Sequence, residues 1–274
     1  MEEWKNWALQ CGAGDGAAIA AEPVLRRMAE EKRRAALGDL PGLKGLIAMV
    51  FPYYAGDLPG NLSLYARGED YHKVLGRAME EFCRLAAESY PHAHFRAYAD
   101  ISPYPEAQIC ARAGLGAIGQ NGLLLTPRWG SYVFCGVVAT DLPLKGGNEP
   151  GGCIECGKCR AACPGGALTP NGFCEERCLS AITQKRGELA LWEEQLIQKG
   201  QYVWGCDRCQ QVCPYNEKAE QTSCGAFSQN LVAEITEEEL AELSDRRFRK
   251  EYAGRAFSWR GIGPLKRNLK LKKE

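Results

Sequence analysis

The sequence predicts an α+β protein in three parts. These are an N-terminal α/β domain over residues 1–145, a two-cluster bacterial ferredoxin-like domain over 146–225, and a C-terminal helix and basic tail over 226–274. Two observations predict this order. The first 145 residues alternate helix-period and strand-like apolar segments without paired cysteines. Two cysteine runs follow, Cys153-Ile-Glu-Cys156-Gly-Lys-Cys159-Arg-Ala-Ala-Cys163-Pro164 and Cys206-Asp-Arg-Cys209-Gln-Gln-Val-Cys213-Pro214.

The first part resolves into segments. AEPVLRRMAEEKRRAAL (21–37) is amphipathic and reads as a helix, and GLIAMVF (45–51), bounded by Gly and Pro52, reads as a buried strand. YHKVLGRAMEEFCRLAAESY (71–90) carries apolar residues near helical spacing and stops before Pro91. HFRAYAD (94–100) alternates as a strand does, and SYVFCGVVATD (131–141) is a second, more apolar one. Between them lies AGLGAIGQNG (113–122). Its Gly114, Gly116 and Gly119 fit G-x-G-x-x-G, but a dinucleotide fingerprint needs a strand before it and a helix after it. Here EAQICARA before it reads as helix and Leu123–Leu125 after it as extended, so nicotinamide binding is not predicted. Close backbone approach to a flat cofactor is still compatible with these glycines. LKGGNEPGG (144–152) is a linker by composition. A helical insert, CLSAITQKRGELALWEEQLIQKG (178–200), separates the cysteine runs, and a last helix opens with a capping box from Thr236 to Glu239.

In a two-cluster ferredoxin the first three cysteines of a run hold one cluster and the fourth crosses to the other. The first cluster then takes Cys153, Cys156, Cys159 and Cys213. The second takes Cys163, Cys206 and Cys209, and a regular run would add a cysteine at 203, where Val203 stands. Its last ligand must come from elsewhere, with Cys174, Cys178 and Cys224 as candidates. Paired Cys-x-x-Cys motifs also build zinc sites. Zinc has no need of the x-x-x-Cys-Pro endings, and both runs carry them.

Composition bounds the rest. The chain has 274 residues, 45% of them hydrophobic, enough for one good core and a small appended module. No stretch approaches the roughly 20 apolar residues of a membrane span, and MEEWKNWALQ has no signal-peptide h-region. Fourteen cysteines without targeting suggest ligands and buried thiols in a reducing cytoplasm. Net charge is zero, but Arg246 to Glu274 holds eleven Lys or Arg against two Glu. Such a tail suggests a polyanionic partner, with a solvated, frayed helix as the plainer alternative.

Two further features stand out. Asp100 ends a predicted strand, as a turn carboxylate or as a proton donor facing a pocket. Ser63 to Lys73 (SLYARGEDYHK) packs Tyr65, Arg67, Asp70, Tyr71 and His72 at a helix start, more hydrogen-bonding groups than a helix needs. His92 and His94 read as surface or strand residues.

Four groups of segments together resemble the epoxyqueuosine reductase family, cobalamin- and iron–sulfur-dependent enzymes of queuosine tRNA maturation related to reductive dehalogenases. They are SLYARGEDYHKVL; Asp100 with Pro103 and Glu106; ARAGLGAIGQNGLLL with GSYVF; and the cysteine pattern with RCLSAIT and WGCDRCQQVCPYN. The resemblance implies that Cys178 supplies the displaced ligand and that Asp100 donates the proton. It implies cobalamin contacts at Ser63, Tyr65, Leu124, Ser131, Cys135 and Asp207, with Tyr71 and His72 in the same cofactor-binding set. The implied cofactors are two 4Fe–4S clusters and cobalamin. The implied partners are tRNA, held through the basic tail, and an external electron donor such as a flavodoxin or ferredoxin. No membrane is involved. The family commonly has Trp and Lys where this chain has Ala117 and Gln120. Many members continue into helical repeats beyond the point corresponding to FSWRGIGPLKRNLKLKKE. Two other functions compete: a paralogue with the same cofactors and another substrate, and a plain electron carrier. A carrier would not need the Asp100 and Tyr65–His72 groups.

Overall fold

Every residue of the apolar run Gly45–Pro52 is buried, so both faces of that strand meet protein and no polar alternation is required. In the computed structural model, which describes residues 2–100 and 102–273, the run lies inside the first of two units. That unit comprises Met1–Pro52, Tyr71–Gly119 and Leu123–Glu155. In chain order it holds α1 (Glu2–Gln10), β1 (Asp15–Ala20), α2 (Glu22–Leu25), α3 (Glu30–Asp39), β2 (Gly45–Pro52), α4 (Tyr71–Ser89), β3 (Phe95–Ala99) and α5 (Glu106–Arg112). The strands β4 (Ala117–Ile118), β5 (Leu124–Leu125), β6 (Val133–Thr140) and β7 (Gly151–Gly152) follow. The main sheet runs β1–β2–β6–β3, antiparallel throughout.

Helices cover both faces of that sheet. Leu46, Ala48 and Val50 share a core with Ile19, Val137 and Ala139, closed by Ala36 of α3, Leu40 just after that helix, and Ile109 and Cys110 of α5. On the opposite face Gly16, Met49 and Gly136 stand in register across three strands. A Cβ at Gly16 would come within 2.6 Å of Ala8, and one at Gly136 within 2.5 Å of Met79 Sδ. The missing side chains let α1 and α4 approach the sheet closely, and Trp4 of α1 meets Phe82 of α4 at 6.3 Å.

Two expectations change in this unit, and one strand appears that the sequence did not predict. The single helix predicted over 21–37 is two, because the backbone leaves the helical region at Ala29 (φ −55°, ψ 144°). The segment DGAAIA, rich in weak strand formers, is a strand because β2 offers it a full ladder. Residues 144–152 do not hang free. Ala20 N–H donates to Gly146 O, Asn148 N–H to Arg112 O, and Glu149 receives both Arg27 and Arg112.

The second unit comprises Tyr53–Asp70, Gln120–Gly122 and Cys156–Glu274, so the Leu62–Arg67 segment belongs with the cysteine-rich region. Its elements are α6 (Lys158–Ala161), β8 (Leu168–Thr169), β9 (Gly172–Phe173), α7 (Leu179–Gln184), α8 (Leu191–Lys199), α9 (Arg208–Gln211), α10 (Gly225–Ser228), α11 (Glu237–Ala241), α12 (Asp245–Glu251) and α13 (Gly263–Leu271). The predicted insert is thus a helix pair. Val203 N–H donates to Asn61 O at 2.8 Å and Ser63 N–H to Trp204 O at 2.9 Å, which stitches the early segment to the second cysteine run. The capping box is present, with Glu239 N–H donating to Thr236 Oγ1 and Thr236 N–H to Glu239 Oε2.

The C-terminal region is not a frayed tail. α13 packs on α7, α8 and α11 and buries Leu265, Asn268 and Leu269. Several cations there close helix ends and loops. Lys266 donates to Ala241 O and Leu243 O, Arg267 to Lys185 O and Gly187 O, and Arg255 to Arg67 O. Asn268 Nδ2 reaches both Thr183 O and Val203 O at 2.8 Å. Changing Asn268 to Ala leaves two buried carbonyls without a donor. Stability should fall by about 2–4 kcal/mol, measured by urea unfolding of the anaerobic protein.

Candidate functional site

In the second unit, Cys163, Cys178, Cys206 and Cys209 come from three separate stretches of chain and lie near enough to influence one another electrostatically, although among the described residues no three or more such side chains are placed to share a single metal ion. Burial, with smaller contributions from Cys163 and Cys178 as electrostatic neighbours, pushes Cys206 and Cys209 up to about 12. Cys178 is likewise raised, first by burial and then by Cys163 among others. Backbone donors face the sulfurs. Ala167 N–H lies 3.2 Å from Cys163 Sγ, and the first turn of α7 directs the Ser180 and Ala181 N–H groups at Cys178. Thiols held near 12 keep their protons at neutral pH, and metal cations would displace those protons and supply the compensating charge. The donor set therefore fits a metal–sulfur centre. The other candidates for the displaced position stand apart from this group: Cys174 donates to Glu176 Oε2, and neither Cys174 nor Cys224 is among the neighbours that influence Cys206 and Cys209. In the first run, Glu155 N–H approaches Cys153 Sγ at 3.4 Å, with Glu155 and Gly157 both at positive φ. Cys156 is exposed, while Cys159 and Cys213 are half-buried.

Asp207 stands between two of these thiols and is fully buried. Its Oδ1 accepts from Ser63 Oγ at 2.7 Å and from Gln210 Nε2 at 3.1 Å, and its Oδ2 accepts from Leu64 N–H at 2.7 Å. Burial raises its carboxyl; those bonds and the Arg67 guanidinium oppose the rise. Ser63 and Asp207 therefore meet each other, and both are wholly enclosed. Tyr65 is held by its hydroxyl, which accepts from Trp204 Nε1 at 3.1 Å and Gln184 Nε2 at 3.2 Å. Gln184 and Gln210 were not legible in advance, as single amides on short helices.

In the first unit, Asp100 follows β3 directly, in the left-handed region at φ 63°, which Asp tolerates better than most residues. His72 Nε2 lies 3.0 Å from Asp100 Oδ2. That bond, the largest influence, holds the carboxyl below its usual range; burial opposes it, and Tyr71 adds a further hydrogen bond. The His72 ring stacks on Tyr71 at 4.0 Å, and Tyr71 stacks on Phe134 at 4.4 Å. The last β3–β6 pair is Ala99 with Gly136, so Asp100 emerges at the end of the sheet where Cys135 and Phe134 lie. Cys135 bonds the buried Cys110 thiol and raises it. Leu124 is a core residue, and Ser131 is buried.

The glycine segment serves local geometry. Gly114, at φ 82°, ends α5, and a Cβ on Gly116 would meet Leu125 O at 2.5 Å. Within the second unit's short piece of this segment, Gln120 Oε1 is buried without a hydrogen-bond partner. It is an acceptor that amide N–H groups of a bound ligand, such as those rimming a corrin, would satisfy.

Comparisons with known proteins agree with this geometry. A family profile described as a 4Fe-4S double cluster binding domain matches residues 152–216, a range that contains all eight candidate ligands. A second, described as epoxyqueuosine reductase QueG, DUF1730, matches residues 34–101. The chain is 35% identical over 260 residues to an epoxyqueuosine reductase of Gloeobacter violaceus, covering 90% of this chain and 81% of that protein. It is 31% identical to that of Bacillus cereus, covering 85% of this chain and 64% of that one. A crystal structure of epoxyqueuosine reductase with an epoxyqueuosine-modified tRNA-Tyr stem loop superposes with TM-score 0.86 at 26% identity, over 99% of this chain and 80% of that one. A catabolic reductive dehalogenase, at 19% identity and TM-score 0.51 over 98% of this chain and 37% of its own, shares the fold. Among the described residues, no helix is long and apolar enough to cross a membrane.

The Asp207 pocket presents only donors to that side chain. Asp207→Asn turns an amide N–H₂ toward one of them and should cost about 1–3 kcal/mol. Thermal unfolding should register the loss, and hydrogen exchange should rise at residues 62–64.

Proposed function

Because this chain belongs to the epoxyqueuosine reductase family, we propose that it reduces the epoxide of epoxyqueuosine in tRNA to the cyclopentene of queuosine, with two 4Fe–4S clusters and cobalamin. The observation that carries the reading is the gathering of Cys178 with Cys163, Cys206 and Cys209. Cys163, Cys178, Cys206 and Cys209 hold one cluster, and Cys153, Cys156, Cys159 and Cys213 hold the other. Removing the epoxide oxygen consumes two electrons and two protons and leaves an alkene and water. Cobalamin, when bound, supplies the low-valent cobalt chemistry of C–O cleavage. The chain's own residues orient and protonate. Asp100 delivers a proton to the departing oxygen. Tyr71, His72, Leu124, Ser131 and Cys135 are the first unit's cobalamin-binding positions, and Ser63, Tyr65 and Asp207 the second's. Since Ser63 and Asp207 bond each other, they act by fixing the backbone at Leu64.

The chain spans 64% of the length of the Bacillus cereus relative. Arg246, Arg247, Lys250 and Lys270 are exposed and are the cations of the C-terminal region available to phosphates. Electrons arrive from an external flavodoxin- or ferredoxin-type donor.

The deciding experiment is anaerobic single-turnover conversion of epoxyqueuosine-containing tRNA by the cluster- and cobalamin-loaded protein. Asp100→Asn keeps size and hydrogen bonding but delivers no proton, so conversion should slow about 100-fold or more with cobalamin still bound. Reconstituted protein should carry about eight iron atoms from two cubanes. Cys178→Ala should lower that to about four, while Cys174→Ala and Cys224→Ala leave it unchanged. Charge reversal at Arg246 and Arg247 should weaken tRNA binding and flatten its salt dependence, by up to about one unit of log–log slope per lost phosphate contact. It does so without removing the buried helix α13.

A further inference from the structure

A carboxyl held below its usual range is poorly suited to give up a proton at neutral pH. An ordinary aspartic acid, with pKa near 3.9, is protonated in only about one molecule in a thousand at pH 7. Asp100 lies lower still, chiefly through its bond to His72. A proton donor at this position therefore needs a second group that holds the proton and returns it.

We propose that His72 is that group, a positioning residue and proton reservoir that reloads Asp100 in each turnover. The proposal rests on the reading that Asp100 protonates the departing epoxide oxygen. His72 Nε2 stands 3.0 Å from Asp100 Oδ2, within direct transfer distance. Its ring plane is fixed by the Tyr71 ring, which is fixed in turn on Phe134 of β6. Asp100 is the turn residue at the end of β3, and its left-handed conformation is secured from the α4 side by both His72 and Tyr71.

The transfer balances. The imidazolium gives its proton to the Asp100 carboxylate at Oδ2, and the neutral carboxyl so formed passes one proton to the substrate oxygen, whose C–O bond has broken, and returns to carboxylate. Two electrons come from the external donor, and the second proton comes from water. The imidazole, 39% exposed in its side chain, is then reprotonated by solvent. Asp100 and Tyr71 contact it. Glu106 of α5, hydrogen-bonded to Ser102 Oγ and raised by burial, adds a further carboxyl near Asp100 and is itself faced by Lys32.

The test is the pH dependence of single-turnover conversion in the loaded holoenzyme, wild type against His72→Asn, with iron content and cobalamin binding checked in both. The wild-type rate should fall as pH rises through the imidazole titration. His72→Asn should lose that limb, run about 10- to 100-fold slower at pH 7.5, and recover about tenfold per unit as the pH is lowered toward carboxyl titration. A profile of unchanged shape in His72→Asn overturns the proposal. Imidazole titration by NMR without substrate gives a second readout, since the chain has only three histidines. In Asp100→Asn the His72 midpoint should fall by about one unit; an unmoved midpoint also overturns the proposal. Failure of the wild-type holoenzyme to convert the tRNA would instead overturn the substrate reading, while the NMR coupling still reports on the pair.

Discussion

A carboxylate buried between two cysteine thiols governs the second unit. Asp207 cannot be charged or neutral there without hydrogen-bond donors, since an unsatisfied buried carboxylate costs several kcal/mol. The fold answers by bringing Ser63, Leu64 and Gln210 to its two oxygens. That requirement explains why Tyr53–Asp70 belongs with the cysteine-rich region rather than with the sheet it follows in sequence. It also places Tyr65 against Trp204 and Gln184, one residue beyond the backbone N–H that Asp207 holds. The same enclosure desolvates Cys206 and Cys209 and raises both thiols.

The first unit solves a different problem. Its central strand is covered on both faces, and the helices approach closely only because Gly16 and Gly136 present no Cβ to them. A rigid sheet of this kind leaves its irregular chemistry to the strand ends. Asp100 sits at such an end, in a conformation with little intrinsic preference, held by side chains that begin the long helix α4. The Tyr71–Phe134 stack ties that helix start to β6, so the carboxylate and its partner are positioned by two elements rather than by a loop alone.

The C-terminal region shows how charge count and charge role diverge. Its surplus of cations reads as a polyanion-binding tail, yet Arg255, Lys266 and Arg267 donate to backbone carbonyls, and Asn268 is wholly buried. Long basic side chains can close helix ends while their stems pack. The exposed cations, on α12 and at Lys270 and Lys273, are fewer than the sequence suggested, and Lys273 is paired with Glu237.

The sequence by itself determined the elements whose signal is local. The buried strand read at 45–51, the long helix from Tyr71, the two strands read at 94–100 and 131–141, the capping box at Thr236 and the spacing of seven candidate cluster cysteines all follow from periodicity or short-range geometry. It also located Asp100 at a strand end and His72 at a helix start. Only the tertiary structure decided what those positions mean. β1 became a strand because β2 offered it hydrogen bonds that its Gly- and Ala-rich sequence could not demand. Cys178 rather than Cys174 or Cys224 joined Cys163, Cys206 and Cys209 because the turn into α7 carries it there. Asp207 met Ser63, and His72 met Asp100, across 144 and 28 residues of chain. Such contacts depend on burial and on which elements pack together, and no local window of sequence contains both partners.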